Sequence, residues 1–125
     1  MFSLAHLSDP HLGPLPNIRF SQMLNKRLTG VLNWHRSRGE SHSMPALDRL
    51  CAHLKAQNPT HIAVTGDVSN LGLKAEFDRA RAWLDTLGTP DQVSFVPGNH
   101  DAYLGESTAA LEQALKLFMS NDNGQ

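Results

Sequence analysis

The residues able to do chemistry stand in three short clusters. They are Ser8-Asp9-Pro10-His11, then Gly66-Asp67-Val68-Ser69-Asn70, then Pro97-Gly98-Asn99-His100-Asp101. Each carries a carboxylate, an imidazole or both. Asp, His and Asn together form a mixed oxygen and nitrogen donor set. Such a set suits Mn, Fe or Zn better than a thiolate-preferring ion or an all-oxygen calcium site. Asp9 and His11 are two apart, so in an extended segment their side chains point the same way. Gly66 and Gly98 let the backbone turn sharply beside a ligand. Taken singly, Asp9-Pro10, Gly66-Asp67 and Asn99 are ordinary turn chemistry. Turns do not require two histidines with three acids in one recurring position along the chain.

That position is set by the surrounding elements. Phe2 to Leu7 is an apolar run closed by Ser8-Asp9-Pro10, which reads as a strand and turn. Pro14 and Pro16 keep the next stretch irregular. Ser21 to about His35 reads as helical, with Met23, Leu24, Leu28, Val31 and Leu32 on one stripe and Gly30 weakening its continuity. Ser43 to Gln57 is a firmer helix: Ser43 caps it, Pro45 suits the first turn, and Leu47, Leu50, Cys51 and Leu54 repeat at helical spacing. Asn58-Pro59 stops it. His61 to Thr65 reads as a buried strand. Leu73 to Leu87 is a helix with Phe77, Ala80, Leu84 and Leu87 inward and Gly88 as its stop. Val93 to Val96 is the third strand. Thr108 to about Met119 is the last helix, with Leu111, Leu115 and Phe118 inward, and residues 120–125 read as a fraying polar tail.

Strands separated by helices predict an α/β fold, β-α-β-α-β, with a mainly parallel sheet. Ligands of such sheets bind beyond the carboxyl ends of the strands. All three clusters fall there.

Composition narrows the function classes. The chain has 125 residues, 40% of them hydrophobic and 18% charged, which describes a globular domain rather than a disordered chain. Eleven Lys+Arg against twelve Asp+Glu leave a formal charge of -1, so no global basic field favours nucleic acid. One cysteine, Cys51, excludes an intramolecular disulfide framework and reads as a buried, inert thiol. No leader-like segment and no run of membrane-spanning length is seen, which predicts a cytoplasmic protein.

The three clusters, in this order, resemble the calcineurin-like metallophosphoesterase superfamily. Its marks are Asp-x-His, Gly-Asp-x-x-Asp/Asn and Gly-Asn-His-Asp/Glu. Here they are Asp9-Pro10-His11, Gly66 to Asn70 and Gly98-Asn99-His100-Asp101, with flanks HLSDPHLG and FVPGNHD similar to the bacterial phosphodiesterase-like branch. The resemblance runs from Phe2 to about Tyr103. It implies two metal ions, with Asp9 and His11 on the first, Asp67 bridging and Asn99 on the second. It implies His100 as general acid or phosphate donor, Asn70 orienting that histidine through its side-chain carbonyl oxygen, and Asp101 as a supporting residue. The implied reaction is hydrolysis of a small-molecule phosphoester by a metal-bridging hydroxide attacking phosphorus in line.

The family pattern continues with a separate His and a Gly-His-x-His, whereas no histidine follows His100 here. His6, His35, His42, His53 and His61 all precede it, on segments with other readings. The expectation is therefore a single partial domain over 1–125, the N-terminal half of an αββα sandwich. Three alternatives follow: a phosphodiesterase of which this is part, a catalytically silent half that self-associates through the face left bare, and a nuclease of the same superfamily. Between Arg19 and Lys55 stand seven Lys/Arg against Glu40 and Asp48. That stretch reads first as a solvated helix end, and second as a border of the active-site mouth contacting an anionic substrate.

Overall fold

The computed structural model of the chain describes residues 1–17, 43–102 and 105–120. Six elements follow one another: β1 (Leu4–Ser8), α1 (Met44–Ala56), β2 (His61–Gly66), α2 (Lys74–Leu87), β3 (Val93–Pro97) and α3 (Gly105–Met119). The strands form one sheet in the order β1-β2-β3, every pairing parallel. The α/β alternation read from the sequence is the observed architecture. The helix expected over Ser21 to His35 lies outside the described residues, as do His35, His42 and most of the basic stretch.

Register explains the layering. Leu7 lies beside Val64, and Val64 beside Phe95; Ile62 lies beside Val93. Side chains alternate between faces along a strand, so these residues share one face. That face joins Cys51 and Leu54 of α1, Phe77, Ala80, Leu84 and Leu87 of α2, and Leu111, Leu115 and Phe118 of α3 in one core cluster. Two crossovers running the same way across a parallel sheet place their helices on the same side. The other face is open at Leu4, His6, Ser8 and Val96, with Leu4 59% and Val96 58% exposed. Across it, His6 Nε2 meets Thr65 Oγ1 at 2.7 Å and His61 Nε2 meets Ser94 Oγ at 3.0 Å. Those two histidines are thus engaged in the sheet surface, and His53 is exposed on α1.

Local chemistry sets the element ends. Ser43 is extended, and its hydroxyl accepts from the Ala46 amide at 3.4 Å while Pro45 occupies the first turn, which needs no amide donor. Thirteen residues of α1 then present Cys51 and Leu54 to the core. Leu50, expected inward, is 49% exposed, and Leu47 is half-buried. Only Cys51 and Leu54 of the α1 apolar stripe are buried in the core. The remainder faces a cavity of about 260 Å³ lined by Ser8, Asp9, Pro10, Ser43, Met44, Ala46, Leu47 and Leu50. Two boundaries also differ from expectation. Strand β1 starts at Leu4 and runs to Ser8, with Phe2 69% exposed, and α3 begins at Gly105 rather than Thr108.

Candidate metal centre

The chain leaves each strand into a loop at the same sheet edge. The β1 loop continues along the β2 loop by main-chain bonds: Asp9 N–H to Thr65 O at 2.9 Å, His11 N–H to Asp67 O at 2.9 Å and Leu12 N–H to Val68 O at 3.0 Å. Asp9 and His11 are not extended, contrary to expectation. Their φ angles are 50° and 42°, the left-handed region that non-glycine residues rarely adopt. Two left-handed residues around Pro10, rather than strand alternation, bring the carboxylate and the imidazole together. Strain of this kind costs on the order of 1–3 kcal/mol per residue and persists only where the surroundings enforce it.

Asp9, His11 and Asp67 offer ligand atoms that all lie within 4.8 Å of one another. His11 and Asp67 are buried and Asp9 is exposed, so the group opens to solvent on the Asp9 side. His11 Nε2 stands 3.8 Å from Asp67 Oδ2, longer than a hydrogen bond. Asp67 ties the group together, its amide donating to Asp9 Oδ1 at 3.3 Å and its Oδ1 accepting the His100 amide at 2.7 Å.

Two glycines keep this space free of side-chain carbon. A Cβ at Gly66, whose φ is +80°, would stand 2.2 Å from Asp9 Oδ1. One at Gly98 would stand 2.2 Å from Asp67 Oδ1. Oxygen and imidazole donors from two loops, packed where a Cβ has no room, fit a first-row divalent cation.

His100 and Asp101 come from the β3 loop. The His100 ring stands edge-on to His11, with centroids 5.6 Å apart. Its Nδ1 is 2.8 Å from the Asn70 main-chain oxygen. A carbonyl only accepts, so Nδ1 carries the proton in that bond and Nε2 is the other ring nitrogen. Asn70 thus meets His100 through its peptide carbonyl, whereas the side-chain amide donates to Leu12 O at 3.2 Å and its Oδ1 is buried without a hydrogen-bond partner among the described residues. Asn99 is exposed in the turn beside His100.

Asp101 is fully buried and acts on backbone. It accepts from Val68 N–H at 3.3 Å, Ser69 N–H at 2.9 Å, Ser69 Oγ–H at 2.7 Å and Gly98 N–H at 3.0 Å. The β2 and β3 loops are thereby pinned to one carboxylate. Burial pushes the Asp101 carboxyl up, while the bonds from Gly98, Ser69 and Val68 pull it back.

Sequence reasoning missed Glu76. It lies near the start of α2, 1% exposed, and accepts from the amides of Asn70 at 2.8 Å, Leu71 at 3.1 Å and Leu73 at 3.0 Å. A signal did exist: Glu76 shares a helical face with Ala80, Leu84 and Leu87, so it is an acid on an inward stripe.

The model of the calcineurin-like phosphoesterases matches residues 2–123. Parallel strands deliver acids and histidines to one end of an α/β sheet, and the chain belongs to the calcineurin-like phosphoesterase family. No curated protein sequence and no solved structure matches it. Among the described residues no helix is long and apolar enough to cross a membrane.

Proposed function

We propose that this chain carries the first metal-binding half of a phosphodiesterase. The observation behind this reading is the grouping of Asp9, His11 and Asp67 within 4.8 Å, on a chain of a metal-dependent phosphoesterase family. Asp9, His11 and Asp67 would hold one cation, and Asp67 with Asn99 would hold a second. Mn, Fe and Zn all suit these donors. Bound cations supply charge neutralisation at the phosphoester and a nucleophile active at neutral pH.

The remaining work falls to the chain's own residues. With Nδ1 tied to the Asn70 carbonyl, His100 presents Nε2, and from there it donates a proton to the leaving oxygen or a hydrogen bond to the phosphoryl group. Asp101 holds the β2 and β3 loops in register so that Asp67 and His100 keep their spacing. The cavity beside Asp9 gives a small-molecule ester a place next to the centre.

The test is hydrolysis of bis(4-nitrophenyl) phosphate with Mn²⁺. The expected result is metal-dependent turnover that Asp67→Ala abolishes. His100→Ala is expected to lower kcat by about 10²-fold or more, in the range of a lost general acid. Turnover that ignores added metal, or that survives both substitutions, contradicts the reading.

A second reading has its own observation. The face of Leu4, His6, Ser8 and Val96 is exposed among the described residues. On this reading the 125-residue chain is a silent half-domain that turns over substrate only with a complementing partner. Tight binding of two cations per monomer would overturn it.

A further inference from the structure

The buried carboxylate of Glu76 has more partners than a helix cap requires. Its bond from Leu73 N–H is the acidic half of a capping box at the start of α2. That role accounts for one of the three amides it accepts. The other two, Asn70 and Leu71, belong to the loop after β2. The Leu71 amide and the Asn70 carbonyl are the two ends of one peptide unit. On the amide end, Leu71 N–H donates to Glu76 Oε2 at 3.1 Å. On the carbonyl end, Asn70 O accepts from His100 Nδ1 at 2.8 Å. Carboxylate, peptide and imidazole therefore lie in one hydrogen-bonded series.

We infer that Glu76 is the positioning residue of His100, acting through the Asn70–Leu71 peptide. The inference rests on the reading of His100 as the group that faces the substrate. A planar peptide has a fixed relation between its N–H and C=O directions. Anchoring the N–H on a carboxylate fixes where the C=O points. The Glu76 carboxylate also polarises the unit, strengthening its carbonyl as an acceptor, as happens along hydrogen-bonded chains in a low-dielectric interior. The result is one tautomer of His100, protonated at Nδ1, and one orientation of a ring that stands edge-on to His11. The Asn70 side chain is turned away to Leu12 O, so the orienting acceptor is a peptide carbonyl backed by a remote acid.

The experiment is long-range ¹H–¹⁵N NMR of the histidine rings in the full chain without metal, at a pH where the rings are neutral. Wild type is expected to show His100 as a single Nδ1–H tautomer. Glu76→Gln must place an amide NH₂ or lose an acceptor at the loop amides, and is expected to give a mixture of both tautomers. Glu76→Asp, which keeps the carboxylate, is expected to restore part of the Nδ1–H population. A Glu76 that only caps α2 would lower thermal stability in Glu76→Gln and leave the tautomer unchanged, and that result overturns the inference. Where Glu76→Gln does not fold, wild type decides: an Nδ1–H tautomer supports the inference and an Nε2–H tautomer overturns it. Hydrolysis is scored separately. A chain that loses its tautomer on Glu76→Gln yet never cleaves a phosphodiester contradicts the phosphodiesterase reading and leaves the role of Glu76 intact.

Discussion

At the scale of single residues, the centre depends on atoms that are missing as much as on ligands. Gly98→Ala adds a carbon 2.2 Å from Asp67 Oδ1, which must move the carboxylate or the loop. The expected outcome is a loss of Mn²⁺ affinity of about 10–100-fold, the usual effect of disturbing the surroundings of a ligand, measured by titration of the folded variant. Asp101→Ala strands buried amides of Val68, Ser69 and Gly98, and is expected to cost about 3 kcal/mol or more in urea unfolding. The sequence singled out Asp9, His11 and Asp67 by residue type, and the structure groups their ligand atoms within 4.8 Å. Their conformations were not legible in the sequence. Left-handed Asp9 and His11 leave no mark in composition, since nothing about Asp-Pro-His distinguishes two positive φ angles from an extended pair. The use of the Asn70 carbonyl in place of its side chain was equally hidden, because every residue has a carbonyl.

At the scale of elements, strong periodicity gave helices and strands to within a few residues, and weak context misplaced their faces. Leu47, Leu50, Cys51 and Leu54 repeat as one stripe, yet only Cys51 and Leu54 are buried. Leu50 faces the cavity instead. Glu76 is the opposite case, an acid near a helix start that is buried. The core side of the elements carries the stability. Phe77 and Leu84 of α2 are fully buried, and Phe77→Ala is expected to lower the unfolding free energy by about 3–5 kcal/mol. Cys51 of α1 is buried as expected. Burial pushes its thiol up, and Asp48 adds to the rise, against smaller opposing effects of Lys55 and Trp83. Less thiolate forms at a given pH than in an ordinary cysteine. Alkylation of the folded chain at pH about 8.5 is expected to be at least roughly tenfold slower than in urea, and equal rates would refute the burial argument.

At the scale of the whole molecule, the described residues form a sheet with helices on one side and exposed Leu4 and Val96 on the other. The sequence predicted one sheet with its helices, and the resemblance predicted that a second sheet belongs against it. The half-domain reading makes a solution prediction. Leu4 and Val96 present apolar surface, and sedimentation is expected to show concentration-dependent association that Val96→Lys weakens. A chain that stays monomeric at high concentration contradicts that reading and leaves the metal centre unaffected. The end of the sheet that gathers Asp9, His11 and Asp67 is distinct from this face. It is built by the carboxyl ends of all three strands and held by Asp67, Asp101 and Glu76.

The central claim is that Asp9, His11 and Asp67 bind a metal ion as a unit, and Mn²⁺ titration followed by electron paramagnetic resonance tests it most directly. The free-ion signal is expected to fall as the folded chain is added, and to persist with Asp67→Ala at the same concentrations while that variant keeps its circular dichroism. A wild-type chain that leaves the free-ion signal unchanged, or an Asp67→Ala variant that removes it equally well, would contradict the account.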